Sequence, residues 1–197
     1  MIICRLRADT WNGECNKMQY AIELFFNEEM EKQLFRYAQR IAEEKLSTKF
    51  LEYKARPHVT LACFNDVSEK EGIEIIKFIA QKYSAIPVCI GSLGMFTDTK
   101  TIFAYPVMKS SMYEMHRDIH EYFRGSDTRG WEWYLPDVWV PHCALAIMHE
   151  DEEESFYKAC DLVLREFEKS NGKFSAIGLV KITLPAEETF VAELKGV

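Results

Sequence analysis

Two short stretches hold the residue types that proton chemistry needs. One runs Arg56-Pro57-His58-Val59-Thr60-Leu61-Ala62-Cys63-Phe64, and the other runs Val140-Pro141-His142-Cys143-Ala144-Leu145-Ala146-Ile147-Met148. Each is a Pro-His pair followed by small and apolar residues of strand character, and positions 58 and 142 lie 84 apart. In a strand, residues i and i+2 point to the same face. His58 and Thr60 therefore share a face. In the second stretch His142, Ala144 and Ala146 share one, with Cys143, Leu145 and Ile147 opposite. Two such strands set across a cleft present two imidazoles to one phosphate. A neutral imidazole takes a proton from the attacking oxygen, and an imidazolium gives one to the leaving oxygen. This is general acid–base catalysis without a metal. A hydroxyl two residues after the histidine donates to a phosphate oxygen. Thr60 supplies one, and Ala144 leaves its position without a side-chain donor. A single strand histidine is ordinarily a packing residue; a matched pair in matched contexts points to function.

These stretches need elements that hold them apart and face to face. Residues 18–26 read as a strand. Asn27 is placed to cap a helix in which Met30, Leu34, Tyr37, Ala38 and Ile41 recur at helical spacing. Residues 58–64 form a buried strand. Ser68 starts a helix with Ile73, Ile76, Ile79 and Ala80 on one face. Residues 86–96 form a strand whose Gly91 and Gly94 suit a bulge. The order then repeats. Residues 101–108 read as a strand, and 110–123 as a helix with Met112, Met115, Ile119 and Phe123 inward. Residues 139–148 are a strand. Residues 150–170 are a helix that begins in acids, as its dipole prefers, and stops at Asn171-Gly172. Residues 173–184 and 189–197 complete the chain. The expected fold is α+β: two similar strand-helix-strand-helix-strand lobes around a central cleft, with the Pro-His strands central. The lobes are expected near 18–96 and 100–197, after an N-terminal extension at 1–17 with no clear period. The irregular, aromatic segment Gly125–Asp137 has the character of a site wall or lid.

Composition narrows the function. Hydrophobic residues make up 48% and charged residues 28% of 197, which suits a globular chain. A net charge of −7 argues against a broad non-specific nucleic-acid surface, though a local basic pocket still holds a phosphate. The six cysteines are scattered and form no C-x-x-C pair. The apolar runs are too short for a membrane span, and the first residues lack a signal-like core. The expectation is a reduced, cytoplasmic setting. P-loop, G-x-G-x-x-G and G-x-S-x-G motifs are absent, which argues against a kinase, a dinucleotide enzyme and an α/β-hydrolase.

The paired motifs resemble the two-histidine (2H) phosphoesterases, also described as 2′-5′ RNA ligase-like proteins. Their signature is two His-x-Thr/Ser-x motifs, commonly preceded by Pro, roughly half a domain apart. The resemblance covers Met18 to the C-terminus. It implies a bilobal α+β fold and a cleft for a 2′,3′-cyclic or 2′-5′ phosphodiester of a nucleotide or RNA end. It also implies phosphodiesterase activity with ligation as its reverse, and no cofactor or metal. His58 and Thr60 match the first motif. His142 matches the second, and Ala144 departs from it. Arg56, with Lys54 and Tyr53, is placed to clamp a phosphate or stack a base. Trp139, Tyr105 and the loop residues Trp131, Trp133 and Tyr134 are further stacking candidates, with core packing as their plain reading. The expected partner is a nucleotide or RNA end; a membrane is not expected, no obligate protein partner is evident, and the oligomeric state is open. Two other classes compete. A nucleotide or RNA-end binding module with a weakened site draws support from Ala144. A zinc hydrolase would rest on His116 and His120, which stand at i and i+4. That pair lacks the Glu of H-E-x-x-H, and its plain reading is a polar helix flank.

Overall fold

The computed structural model describes residues 19–124, 130–149 and 151–196. The segment 1–17 and the start of the aromatic loop, 125–129, lie outside the described residues. The first repeat consists of strand β1 (Tyr20–Phe26), helix α1 (Glu28–Glu43), a single turn α2 (Lys49–Glu52), β2 (His58–Phe64), α3 (Glu69–Lys82) and β3 (Ile86–Phe96). The second consists of β4 (Thr101–Pro106), α4 (Ser110–Tyr122), a 3₁₀ turn at Glu132–Tyr134, β5 (Cys143–Ile147), α5 (Glu153–Glu166) and β6 (Ser170–Lys181). Strand β7 (Glu187–Glu193) follows.

The helices obey their apolar periods. Met30, Leu34, Tyr37, Ala38 and Ile41 are the buried residues of α1. In α3 the buried face is Gly72, Ile75, Ile76, Ile79 and Ala80, so Ile75 takes the place expected for Ile73, which is only partly buried. Ser68 caps α3 with a full capping box: its hydroxyl accepts from Glu71 N–H, and the Glu71 carboxylate accepts from Ser68 N–H. Asn27 stands at the N-cap of α1 without capping it. Its side-chain oxygen accepts from Lys173 N–H instead, at 2.9 Å. That contact explains a correction. Asn171-Gly172 does not end α5, which stops at Glu166, but lies inside β6. A Cβ at Gly172 would press on Asn27 and Met30, so glycine lets the start of α1 sit on this strand.

All seven strands join one sheet in the order β2-β1-β6-β3-β4-β5, with β7 paired to β6 and every pairing antiparallel. The third strand of each repeat is exchanged: β6 pairs with β1, and β3 pairs with β4. Strand β6 is the seam. Along one edge it holds β1, and along the other it holds β3 by Ser170–Phe174 and then β7 by Ala176–Lys181. The first helices are exchanged in the same sense, since α1 packs on β5 and α4 packs on β2. The Pro-His strands are thus not central in hydrogen-bond order, as expected from sequence, but stand at the two ends of the sheet. The sheet curves so that β2 and β5 come within 8 Å of each other between Cα atoms.

Register preserves the duplication where residue identity does not. Glu23 opposes Thr60 and Ile22 opposes Ala62, leaving Leu61 as a bulge three residues after His58. Phe103 opposes Ala144 and Ile102 opposes Ala146, leaving Leu145 as a bulge three residues after His142. Gly178 of β6 opposes Glu23, and Gly94 of β3 opposes Phe103. A Cβ at either glycine would run into a phenyl ring, Phe25 in one lobe and Phe103 in the other. Gly91 is the bulged residue of β3, between Ile90 and Ser92 in the register.

Candidate active site

Both histidines are held the same way. His58 Nδ1 lies 2.7 Å from the Arg56 carbonyl oxygen, and His142 Nδ1 lies 2.7 Å from the Val140 carbonyl oxygen. A carbonyl only accepts, so in each ring Nδ1 carries a hydrogen and Nε2 is left for other work. The proline between each histidine and its carbonyl partner fixes φ and shapes that return. Cross-strand contacts bring the two motifs together. The Trp139 indole donates to the Thr60 carbonyl at 3.0 Å, and β2 and β5 approach within 8 Å between Cα atoms, while the Cys143 thiol turns to its neighbouring Ala144 carbonyl. Burial pushes the Cys143 thiol up to about 12, so it stays neutral beside the site.

The surroundings of the two rings differ. His142 stands edge-on to Phe96, with centroids 5.0 Å apart, and tilted over Phe103 at 5.4 Å. Burial, reinforced by the nearby charge of His58, holds it below the ordinary histidine range and therefore neutral. His58 faces Phe25 edge-on at 6.5 Å, and its Nε2 lies 3.4 Å from the Glu23 carboxylate. Glu23 is only 5% exposed; burial raises its pKa and the charge of His58 works against that rise. Arg56 lays its guanidinium over Phe25 at 4.3 Å and pairs with Glu31 at 2.6 Å and Glu188 at 3.6 Å. Thr60 shares the His58 face beside Glu23 and is buried. Ala144 packs instead with Phe35 and Leu51 against Ala38, Phe50 and Ile147.

The strand expected over 139–148 is shorter, Cys143–Ile147, so His58 opens β2 whereas His142 stands just before β5. The pattern of two Pro-His motifs at strand starts in a duplicated α+β chain is matched by a family model. It is described as the 2′-5′ RNA ligase superfamily and covers residues 30–184. The chain belongs to the 2′-5′ RNA ligase superfamily. Solved structures agree in fold. TT0787 of Thermus thermophilus aligns with a TM-score of 0.61 at 13% identity, over 91% of this chain and 99% of that one. Escherichia coli LigT complexed with NADP+ aligns with a TM-score of 0.57 at 8% identity, over 92% of this chain and 99% of that one. No curated protein matches the sequence.

Within this superfamily fold the remaining candidates separate. Tyr105 is half-buried on β4, two residues beyond Phe103 and on the same face. Tyr53 is buried at the end of α2. Trp139 is no open stacking platform: it is 8% exposed, and its ring stacks on His116 at 3.9 Å and 5°. Tyr134 is likewise core, at 2% exposure, and the Trp131 indole donates to Asn65. Trp133 is exposed. Among the described residues no three His, Cys, Asp or Glu side chains gather as a metal site. His116 and His120 form neither a zinc pair nor a polar flank. Each aims Nε2 at a carbonyl oxygen, His116 at Tyr134 (2.8 Å) and His120 at Leu61 (3.3 Å), so they tie α4 to the loop and to β2. Glu23, Phe25, Phe96 and Phe103 went unremarked at the sequence level. The available signal was Glu23, a lone acid in an otherwise apolar strand.

The stacked histidine gives a stability prediction. Burial lowers His116 to about 3, whereas an unfolded chain takes up this proton near pH 6.5. The unfolded state therefore binds more protons between those limits, and stability falls as pH drops through that window, by up to about 1.4 kcal/mol per unit. Urea unfolding at pH 7 and pH 5 should differ by about 2 kcal/mol more in wild type than in His116→Phe, which keeps a ring on Trp139 and removes the proton site. Equal pH slopes in the two proteins would contradict the buried neutral state.

Proposed function

We propose that this protein is a metal-independent phosphodiesterase acting on a 2′,3′-cyclic or 2′-5′ phosphodiester of a nucleotide or RNA end. The observation that carries the reading is the pair of imidazoles, each pinned through Nδ1 to the carbonyl two residues back, at the starts of strands drawn together from opposite ends of one sheet. In the forward direction one Nε2 accepts the proton of an attacking water while the other gives a proton to the departing sugar oxygen. The P–O bond to that oxygen breaks as the new one forms, and the product is a phosphomonoester. Ligation would use the same pair with a 5′-hydroxyl in place of water: it attacks the cyclic phosphate, the P–O bond to the 3′ oxygen breaks, that oxygen takes the proton, and a 2′-5′ diester forms. Thr60 donates to a non-bridging oxygen, and Arg56, whose guanidinium lies over Phe25 beside His58, offers a positive charge. Support for a nucleotide substrate comes from crystal structures of E. coli LigT complexed with ATP and with 3′-AMP, which share the fold.

Ala144 favours a second reading, a module that binds a nucleotide or RNA end with little turnover. One experiment separates the two. EDTA-treated protein is incubated with 2′,3′-cyclic nucleotides and 2′-5′ dinucleotides, and products are resolved by chromatography. Phosphomonoester released at a rate insensitive to EDTA supports the phosphodiesterase. Saturable binding without product supports the module, and activity restored only by added zinc would overturn both.

A further inference from the structure

The two histidines are equivalent in sequence but not in charge environment. The register makes Glu23 and Phe103 counterparts: each opposes the residue two after its histidine, Thr60 or Ala144, and each opposes a glycine on the third strand. One lobe thus places a carboxylate beside its imidazole, and the other places a phenyl ring.

We infer that Glu23 is a positioning residue that holds His58 in its cationic form, making His58 the proton donor and His142, caged by Phe96 and Phe103, the proton acceptor. The inference rests on the phosphodiesterase reading and assigns roles within it. The charged groups around His58 favour the same assignment. Glu23 of β1 lies 3.4 Å from Nε2. The neighbouring guanidinium, Arg56, is shared by Glu31 of α1 and Glu188 of β7. From the other motif come His142, just before β5, and the neutral thiol of Cys143 at its start. Glu31 and Glu188 occupy the guanidinium while Glu23 faces the ring, and an opposite charge within about 4–6 Å favours the imidazolium. The distance from Glu23 to Nε2 is long for a hydrogen bond, so Nε2 keeps its reach toward a leaving oxygen. Around His142 the described ring neighbours are the uncharged Phe96 and Phe103, and burial keeps it a base.

The test titrates the two imidazoles by NMR through their Cε1–H signals, without substrate, in wild type, Glu23→Gln and Glu23→Asp. Glutamine matches glutamate in size and leaves burial of His58 unopposed. The proton should leave His58 about one pH unit lower in Glu23→Gln than in wild type, a tenfold loss of proton affinity. Glu23→Asp, which keeps the carboxylate, should lie nearer wild type, and His142 should move little in either. The alkaline limb of kcat/KM should follow His58, so that Glu23→Gln loses about tenfold at pH 8 and much less at pH 6. Should Glu23→Gln fail to fold, wild type still decides: His58 must keep its proton to higher pH than His142. Loss of activity in Glu23→Gln with an unmoved His58 titration would overturn the inference and reduce Glu23 to packing, and so would wild-type histidines that titrate together. Absence of turnover on every diester would instead overturn the phosphodiesterase reading, because the substrate-free titrations decide the charge assignment by themselves.

Discussion

Alanine in place of His58 or of His142 is expected to lower kcat/KM on a 2′,3′-cyclic nucleotide by about 10²- to 10⁴-fold, with the fold retained. Each substitution removes one proton-transfer group from a site that needs both. The strands do not depend on these rings, since Val59, Leu61 and Cys63 on one strand, and Cys143, Leu145 and Ala146 on the other, are the residues buried in the core. The loss should fall on kcat more than on KM, because proton transfer matters in the transition state and little in substrate binding. His58→Ala should also push Glu23 further toward its protonated form, because burial then acts without the partner that opposes it. Steady-state kinetics with circular dichroism of each variant checks this. Wild-type rates in a folded His142→Ala protein would exclude the paired mechanism.

The second large effect belongs to Thr60→Val, expected to cost about 10- to 10³-fold in kcat, the range for one donor aimed at developing charge. Valine keeps the branched shape that suits a strand, so the change removes a hydroxyl and little else. The effect should sit toward the upper end because the opposite strand offers no second hydroxyl. Ala144 lies against Ala38, Phe50 and Ile147 with Phe35 and Leu51, an apolar setting in which a hydroxyl would lack partners. Side-chain donation from the motif positions therefore rests on Thr60 alone. An unchanged kcat in folded Thr60→Val would move that role to another group.

The local layers of this fold are legible in the chain. Helical spacing named all five buried residues of α1, and the Ser68 cap, the limits of β2 and β3 and the Gly91 bulge follow from residue chemistry. What spacing does not carry is which strand neighbours which. Alternation assigns a residue to a face, and the exchange of β3 and β6 between lobes is a matter of distant pairing. The Pro-His strands therefore read as central when they stand at the sheet's ends. The same limit hid Glu23. It lies far from His58 in sequence, and only the register of β1 on β2 sets the two side by side. Trp139 and the His116–His120 pair each carried two readings in the chain. An aromatic near a motif and an i, i+4 histidine pair have the chemistry of a site, yet here the Trp139 and His116 rings stack on each other and the two histidines meet backbone carbonyls.

The central claim is that two imidazoles act on one phosphate, and a double-variant cycle tests it most directly. kcat/KM on a 2′,3′-cyclic nucleotide is measured without metal for wild type, His58→Ala, His142→Ala and the double variant. Groups that work as a unit are strongly non-additive. The expected result is a double variant about as slow as the slower single one. A double variant whose loss equals the product of the two single losses would mean that the histidines act independently, and would contradict a shared phosphate.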